Sequence, residues 1–153
     1  LSKQQLASLL GMPTVTGIKF TSDNMYQLER LRSLFPDKII YNGYDELCAS
    51  GLVAGADGAI GSTFNITGPA VLRLRDAVAA GDIRGAQALQ HVLNEFIEGA
   101  VANGLYQTLK HMLSLQGVSG GLCRAPFLPL DDERKARAAE ILGTFKAAVN
   151  ALS

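Results

Sequence analysis

Three short apolar segments begin near residues 15, 38 and 58, spaced by 23 and then 20 residues, and a helical pattern follows each. Strands alternating with helices at that interval define βαβ units, and a crossover helix between strands makes the sheet parallel. That inference also says where to look for chemistry. Parallel α/β folds and barrels gather their ligand sites at the carboxyl ends of the strands.

The elements read as follows. Residues 2–10 form a short helix capped by Ser2 and stopped at Gly11 to Pro13. The first strand is expected over 14–21. A helix capped by Asp23 or Asn24 runs to Phe35, with Met25, Leu28, Leu31 and Phe35 at helical spacing. The second strand covers 38–42, a short helix 45–55 and the third strand 57–62. Gly68-Pro69 opens a helix to about Ala80, with Pro suited to a first turn. Beyond it the pattern is helical only: 82–103 with Gly104 just past its end, then 105–115, a Gly/Pro-rich loop over 117–130, and a final helix from Asp131 to about Leu152. The division expected is a strand-bearing part, 1–81, and a helical extension, 82–153.

Composition narrows the function classes. Lys+Arg 14 against Asp+Glu 14 in 153 residues leaves no net charge. That balance lacks the basic footprint of a general nucleic-acid binder or a polybasic membrane protein. No apolar run approaches the length of a membrane span. Two cysteines, Cys48 and Cys123, make no disulfide framework, and a reduced cytoplasmic setting is expected. His91 and His111 stand without a ligand set, so no metal site is expected. Arg73, Arg75 and Arg84 read as solvated helical surface. The chain starts at Leu1 with no Met; processing, trimming or a piece of a larger polypeptide is the expectation.

Each strand ends in groups able to meet a ligand. Alternation puts Ile18 and Phe20 on one face of the first strand and Gly17, Lys19 and Thr21 on the other. Burial of Lys19 would favour its neutral, nucleophilic amine; a lysine whose stem packs while its ammonium reaches solvent explains the same residue. After the second strand come Gly43, which lets a ligand approach the backbone, and the adjacent carboxylates Asp45 and Glu46, suited to the hydroxyls of a polyol. Capping of the following helix by Asp45, with Glu46 in its first turn, is the plainer reading of that pair taken alone, and the two readings can hold together. The third strand ends in Gly61-Ser62-Thr63, as pocket lining or as turn residues. Singly, each has the plainer explanation. Their succession on one rim raises the functional one.

Gly17-Ile18-Lys19-Phe20-Thr21-Ser22, Tyr41-Asn42-Gly43-Tyr44-Asp45-Glu46 and Gly61-Ser62-Thr63-Phe64-Asn65 resemble the N-acetylneuraminate lyases, the sialic-acid aldolases of the dihydrodipicolinate synthase-like class I aldolase superfamily. The segments at Gln90 to Val92, Ala102 to Tyr106 and Cys123 to Pro126 are similar to the same family. The resemblance runs along the whole chain but matches only the C-terminal half of the family's length.

It implies an α/β fold, the (β/α)8 TIM barrel, with this chain giving strands six to eight plus a C-terminal helical extension. It implies a Schiff-base lyase cleaving N-acetylneuraminate to N-acetylmannosamine and pyruvate. Lys19 would be the catalytic lysine, and Thr21, Gly43, Asp45, Glu46 and Ser62 the substrate-binding residues. The covalent Schiff base needs no cofactor. The implied partners are sialic acid, pyruvate, a complementary N-terminal half, and further copies in a homotetramer, with no nucleic acid and no membrane. A barrel of this kind takes about 250 residues. The first five strands are missing, and with them the family's carboxylate-binding motif and proton-relaying tyrosine; neither Tyr41 nor Tyr44 matches that tyrosine. Three parallel strands cannot close a barrel. Residues 1–153 alone are therefore expected to be aggregation-prone or molten, and catalytically silent. Two other readings stand beside this one: a related pyruvate-dependent aldolase acting on another 2-keto sugar acid, and a non-catalytic half-barrel that self-associates.

Overall fold

The computed structural model describes residues 3–152 and divides into two compact units at Gly61/Ser62. The cap expected at Ser2 lies outside the described residues.

The first unit contains the sheet. Its elements are α1 (Lys3–Leu10), β1 (Gly17–Phe20), α2 (Met25–Leu34), β2 (Ile39–Asn42), a 3₁₀ turn (Asp45–Leu47), α3 (Cys48–Val53) and β3 (Gly58–Ala59). The strands are parallel in the order β1-β2-β3, as their spacing predicts. Gly17 pairs with Ile39 and Lys19 with Tyr41, and Tyr41 pairs in turn with Gly58. Of the two candidate caps for α2, the structure uses Asn24, whose side chain accepts from Gln27 N–H at 2.9 Å. The alternation of β1 and β2 sends Phe20 and Ile40 to one face, where they pack with Leu6, Leu10, Leu28 and Leu31 in an apolar core. The opposite face carries Ile39, Tyr41 and Ile60, all exposed. A parallel sheet is normally covered on both faces, so this sheet is half-dressed.

β3 is shorter than the 57–62 expected. Only Gly58 and Ala59 are paired in register, flanked by Asp57 N–H to Ile40 carbonyl at 2.8 Å and Ile60 N–H to Asn42 carbonyl at 2.9 Å. A strand with one neighbour has one ladder to hold it. The amino-terminal rim of the sheet is tied by Arg32. Its guanidinium donates to the carbonyls of Gly55 at 2.8 Å and of Pro36 and Lys38 at 3.0 Å each, and pairs with Asp57. Asp57 also accepts from Ile40 N–H at 2.7 Å. One planar fork thus joins the ends of α2 and α3 to the start of β2.

The second unit is helical: α4 (Phe64–Ala79), α5 (Ile83–Ala102), α6 (Leu105–Leu115) and α7 (Asp132–Ala151). Leu89, Leu93, Phe96, Ile97 and Ala100 form the buried stripe of α5, at the spacing of one helical face. Phe96 meets Phe145 of α7 with ring centroids 4.8 Å apart. Caps mark the ends: Asp82 accepts from Gly85 N–H, Asp131 accepts from Arg134 N–H, and Gly104 has a φ of 89° just past α5.

Two expectations are corrected here. The helix expected to open at Gly68-Pro69 begins upstream at Phe64, and Pro69 lies inside it. The early start is supported by Asn65 Nδ2 donating to the Ser62 carbonyl at 2.9 Å and Thr67 Oγ1 to the Thr63 carbonyl at 3.1 Å. Gly68 removes the side chain that would clash with the following proline ring. Arg73, read as solvated surface, instead donates to the Val149 carbonyl at 3.1 Å and the Leu152 carbonyl at 2.8 Å, closing the last turn of α7.

Arg32→Ala should lower unfolding free energy by about 2 kcal/mol, because several carbonyls and Asp57 lose a charged donor at once. Arg32→Lys should recover less than half of this, since an ammonium cannot span the same acceptors. Urea denaturation of the three proteins checks both.

Candidate active site

The carboxyl ends of β1 and β2 bring three of the expected residues together: Lys19, Thr21 and Gly43. Lys19 and Thr21, two residues apart, share the exposed face of the sheet. Gly43 N–H donates to the Phe20 carbonyl at 2.8 Å, which extends the parallel ladder one step past β2. That step draws the backbone of Gly43 hard against both side chains. A Cβ there would overlap Thr21 Oγ1, and would lie 2.9 Å from Thr21 Cβ and 3.0 Å from Lys19 Cε. The glycine is required for space and not for conformation, since its φ is not positive.

Asp45 opens the 3₁₀ turn and is buried. The alternative reading, in which it caps a helix, is not what the structure has: the residues preceding the turn and α3 are Tyr44 and Leu47, and neither makes a side-chain cap bond. The Asp45 carboxylate instead lies on Gly61, where a Cβ would come within 2.5 Å of Oδ2. Glu46, its neighbour, is exposed. Ser62 is the first residue of the second unit; it is exposed, and its carbonyl accepts from Asn65. Lys19, Thr21 and Gly43 therefore form one contact cluster, and Asp45 with Gly61 forms another on the same rim.

Lys19 is exposed. The burial anticipated for a nucleophilic amine is not provided by the described residues. Cys48, below the rim, is fully buried; burial and, to a smaller extent, the Asp45 carboxylate push its thiol up to about 11. It is a packed residue and not a thiolate nucleophile. Among the described residues no group of three His, Cys, Asp or Glu side chains is placed to hold a metal ion, and no helix is long and apolar enough to cross a membrane. His91 faces Glu95 at 3.3 Å on the surface of α5. A cavity of about 340 Å³ between α6 and the 117–130 loop is lined by Lys110, His111, Cys123 and Phe127 and contains no rim residue.

Sequence reasoning passed over Asn42. It is 0% exposed at the end of β2, and its Nδ2 donates to the Tyr44 carbonyl at 2.6 Å. The available signal was its register, since alternation places it on the apolar face with Ile40.

A small parallel sheet flanked by helices, with a lysine, a threonine and an unsubstituted glycine converging at its carboxyl rim, defines the class: it is a portion of a TIM-barrel aldolase type of fold. The family model described as "Dihydrodipicolinate synthetase family" matches residues 1–144, and the chain belongs to that family. An N-acetylneuraminate lyase of Clostridium perfringens is 45% identical over 141 residues, covering 92% of this chain and 49% of that protein. A crystal structure of CdNal from Clostridium difficile in complex with mannosamine superposes with a TM-score of 0.91 at 41% identity, over 95% of this chain and 50% of that one. A Ruminococcus gnavus sialic acid aldolase, solved as its catalytic lysine mutant, gives a TM-score of 0.94 at 27% identity, over 100% of this chain and 52% of that one. The chain spans about half the length of the relatives it matches.

Gly43→Ala and Gly143→Ala should move stability in opposite directions. The first should cost about 1–3 kcal/mol, because Thr21 and Lys19 must both yield. At Gly143, in α7, a Cβ meets nothing within 4 Å, and alanine should gain about 0.5–1 kcal/mol from the helix backbone. Thermal denaturation of the two variants reads both signs.

Thiol labelling tests the packing of Cys48. At pH 8 the folded protein should react at Cys123 alone, and the denatured chain at both cysteines. The unfolded thiol ionises at its ordinary value while the folded one keeps its proton to about 11. The unfolded state therefore loses its proton first, and this thiol's contribution to stability should fall as pH rises through that alkaline window.

Proposed function

We propose that this chain is the C-terminal part of an N-acetylneuraminate lyase and works in company with a complementary N-terminal half. The observation that carries the reading is the seat of Gly43 against Lys19 and Thr21, in a member of the dihydrodipicolinate synthetase family. The names of its relatives support it, since one is a lyase of N-acetylneuraminate, one was crystallised with an amino sugar and one is described by its catalytic lysine.

In this reading β1, β2 and β3 are strands six to eight of the (β/α)8 barrel, residues 1–81 are its barrel part and 82–153 its helical extension. The exposed Ile39, Tyr41 and Ile60 become interior once the remaining strands close the sheet, and the same closure surrounds Lys19. The Lys19 amine attacks the C2 ketone of open-chain N-acetylneuraminate. Loss of water leaves a protonated imine, an electron sink. The C4 hydroxyl gives up its proton to a base in the other half, and the C3–C4 bond breaks. Its electron pair passes into the imine, giving the enamine of pyruvate and free N-acetylmannosamine. Protonation at C3 and hydrolysis then return pyruvate and the amine. Thr21 and Gly43 orient the chain near the reacting bond, Asp45 and Glu46 hold sugar hydroxyls, and Ser62 adds a contact after the third strand. The reaction proceeds through the covalent adduct without a metal or cofactor. The assembled enzyme is a cytoplasmic homotetramer.

Borohydride trapping with pyruvate tests this directly. The chain assembled with a complementary N-terminal half should gain the mass of a reduced pyruvate adduct, mapped to Lys19, and should release pyruvate from N-acetylneuraminate. The Lys19→Ala variant should show neither, and the isolated chain should show no turnover. Release from another 2-keto sugar acid in place of N-acetylneuraminate would reassign the substrate. A complemented protein that forms no adduct would sink the aldolase reading.

A further inference from the structure

We propose that Asn42 is a positioning residue for the substrate rim, braced from beneath the sheet; this rests on the aldolase reading of that rim. Asn42 stands where the apolar layer would call for another Ile40. It is 0% exposed, and its Oδ1 has no hydrogen-bond partner among the described residues. An aliphatic side chain of similar shape would avoid the cost of that orphaned acceptor. The donor end of the amide accounts for what is kept.

Nδ2 reaches the Tyr44 carbonyl at 2.6 Å, two residues ahead, and so spans Gly43. The same carbonyl accepts from Leu47 N–H at 3.2 Å, closing the 3₁₀ turn that starts at Asp45. The backbone is also held before the turn: the Asn42 carbonyl accepts from Ile60 N–H at 2.9 Å, and Gly43 N–H donates to the Phe20 carbonyl at 2.8 Å. Gly43 is therefore pinned to the sheet at its entry and to the amide at its exit. A third constraint comes from α3. A Cβ on Gly51 would lie 2.7 Å from Asn42 Cγ, so the helix rests on the amide with no side chain between. Asn42 thus sets the path of Gly43 and Tyr44, and through it the placement of Asp45 and Glu46. It touches neither Lys19 nor substrate in this role.

The role separates adduct formation from sugar handling. In the protein assembled with its complementary half, Asn42→Leu should leave borohydride trapping of pyruvate on Lys19 within about twofold of wild type and lower kcat/KM for N-acetylneuraminate by roughly tenfold or more. Asn42→Asp keeps the shape but has a donor only when protonated. Its kcat/KM relative to wild type should recover as pH falls, while the ratio for Asn42→Leu stays flat. The brace itself is read by amide hydrogen exchange over residues 43–47, which should quicken by roughly tenfold in Asn42→Leu. Unchanged exchange there overturns the proposal, as does a parallel loss of trapping and turnover that tracks the folded fraction. If wild type cleaves a different 2-keto sugar acid while exchange quickens as stated, the substrate assignment fails and the brace stands.

Discussion

The hydrogen bond from Gly43 N–H to the Phe20 carbonyl, at 2.8 Å, is the contact on which the rest of the rim depends. It is one more rung of an ordinary parallel ladder, made just past the end of β2. Parallel pairing carries adjacent strands within about 5 Å of each other. At that separation two side chains on β1, Lys19 and Thr21, already occupy the space beside Gly43. Any larger residue would either break the rung or push the lysine away. Sheet geometry and site geometry are therefore the same constraint.

That rung also explains how the two faces of the sheet divide their labour. The face bearing Phe20 and Ile40 is closed by α1 and α2 and supplies the cohesion. The face bearing Lys19, Ile39 and Tyr41 is open. Polar groups at the rim are held from the closed side: Asn42 lies in the apolar layer, and Arg32 gathers the opposite ends of the strands. Rigid support lies behind the rim, and Lys19 and Thr21 lie on the exposed side.

Much of this was legible in the residues, for definable reasons. The helices of the second unit begin and end at local signals: the Asp82 and Asp131 side chains accept from backbone N–H groups three residues on, and Gly104 takes the positive φ just past α5. Local signals of that kind survive in a sequence. Pro69 is a strong local signal for a helix start, yet α4 accommodates it within its second turn, and Gly68 before it removes one of the clashes a proline imposes. Arg73 and Asn42 were missed for a different reason. Their partners are Val149, 76 residues away, and a turn whose path only the folded sheet defines. In sequence Asp45 reads more readily as a helix cap than as a rim residue, and its carboxylate is found on Gly61. Its identity is compatible with both, but only its neighbour shows where the carboxylate lies.

The open face bears on what the proposed catalytic lysine still requires. A lysine becomes a nucleophile when its surroundings favour the neutral amine, and burial is the most direct way to do that. β1 contributes the residue, its register and its neighbours, yet Lys19 stays exposed because one sheet face cannot enclose it. Enclosure by a barrel needs strands on both edges, since each strand buries only what the next one covers. Residue identity and rim geometry are local properties that half a family's length can carry. In the proposed lyase, the environment that would make the exposed amine a reagent is a property of barrel closure and not of this sheet alone.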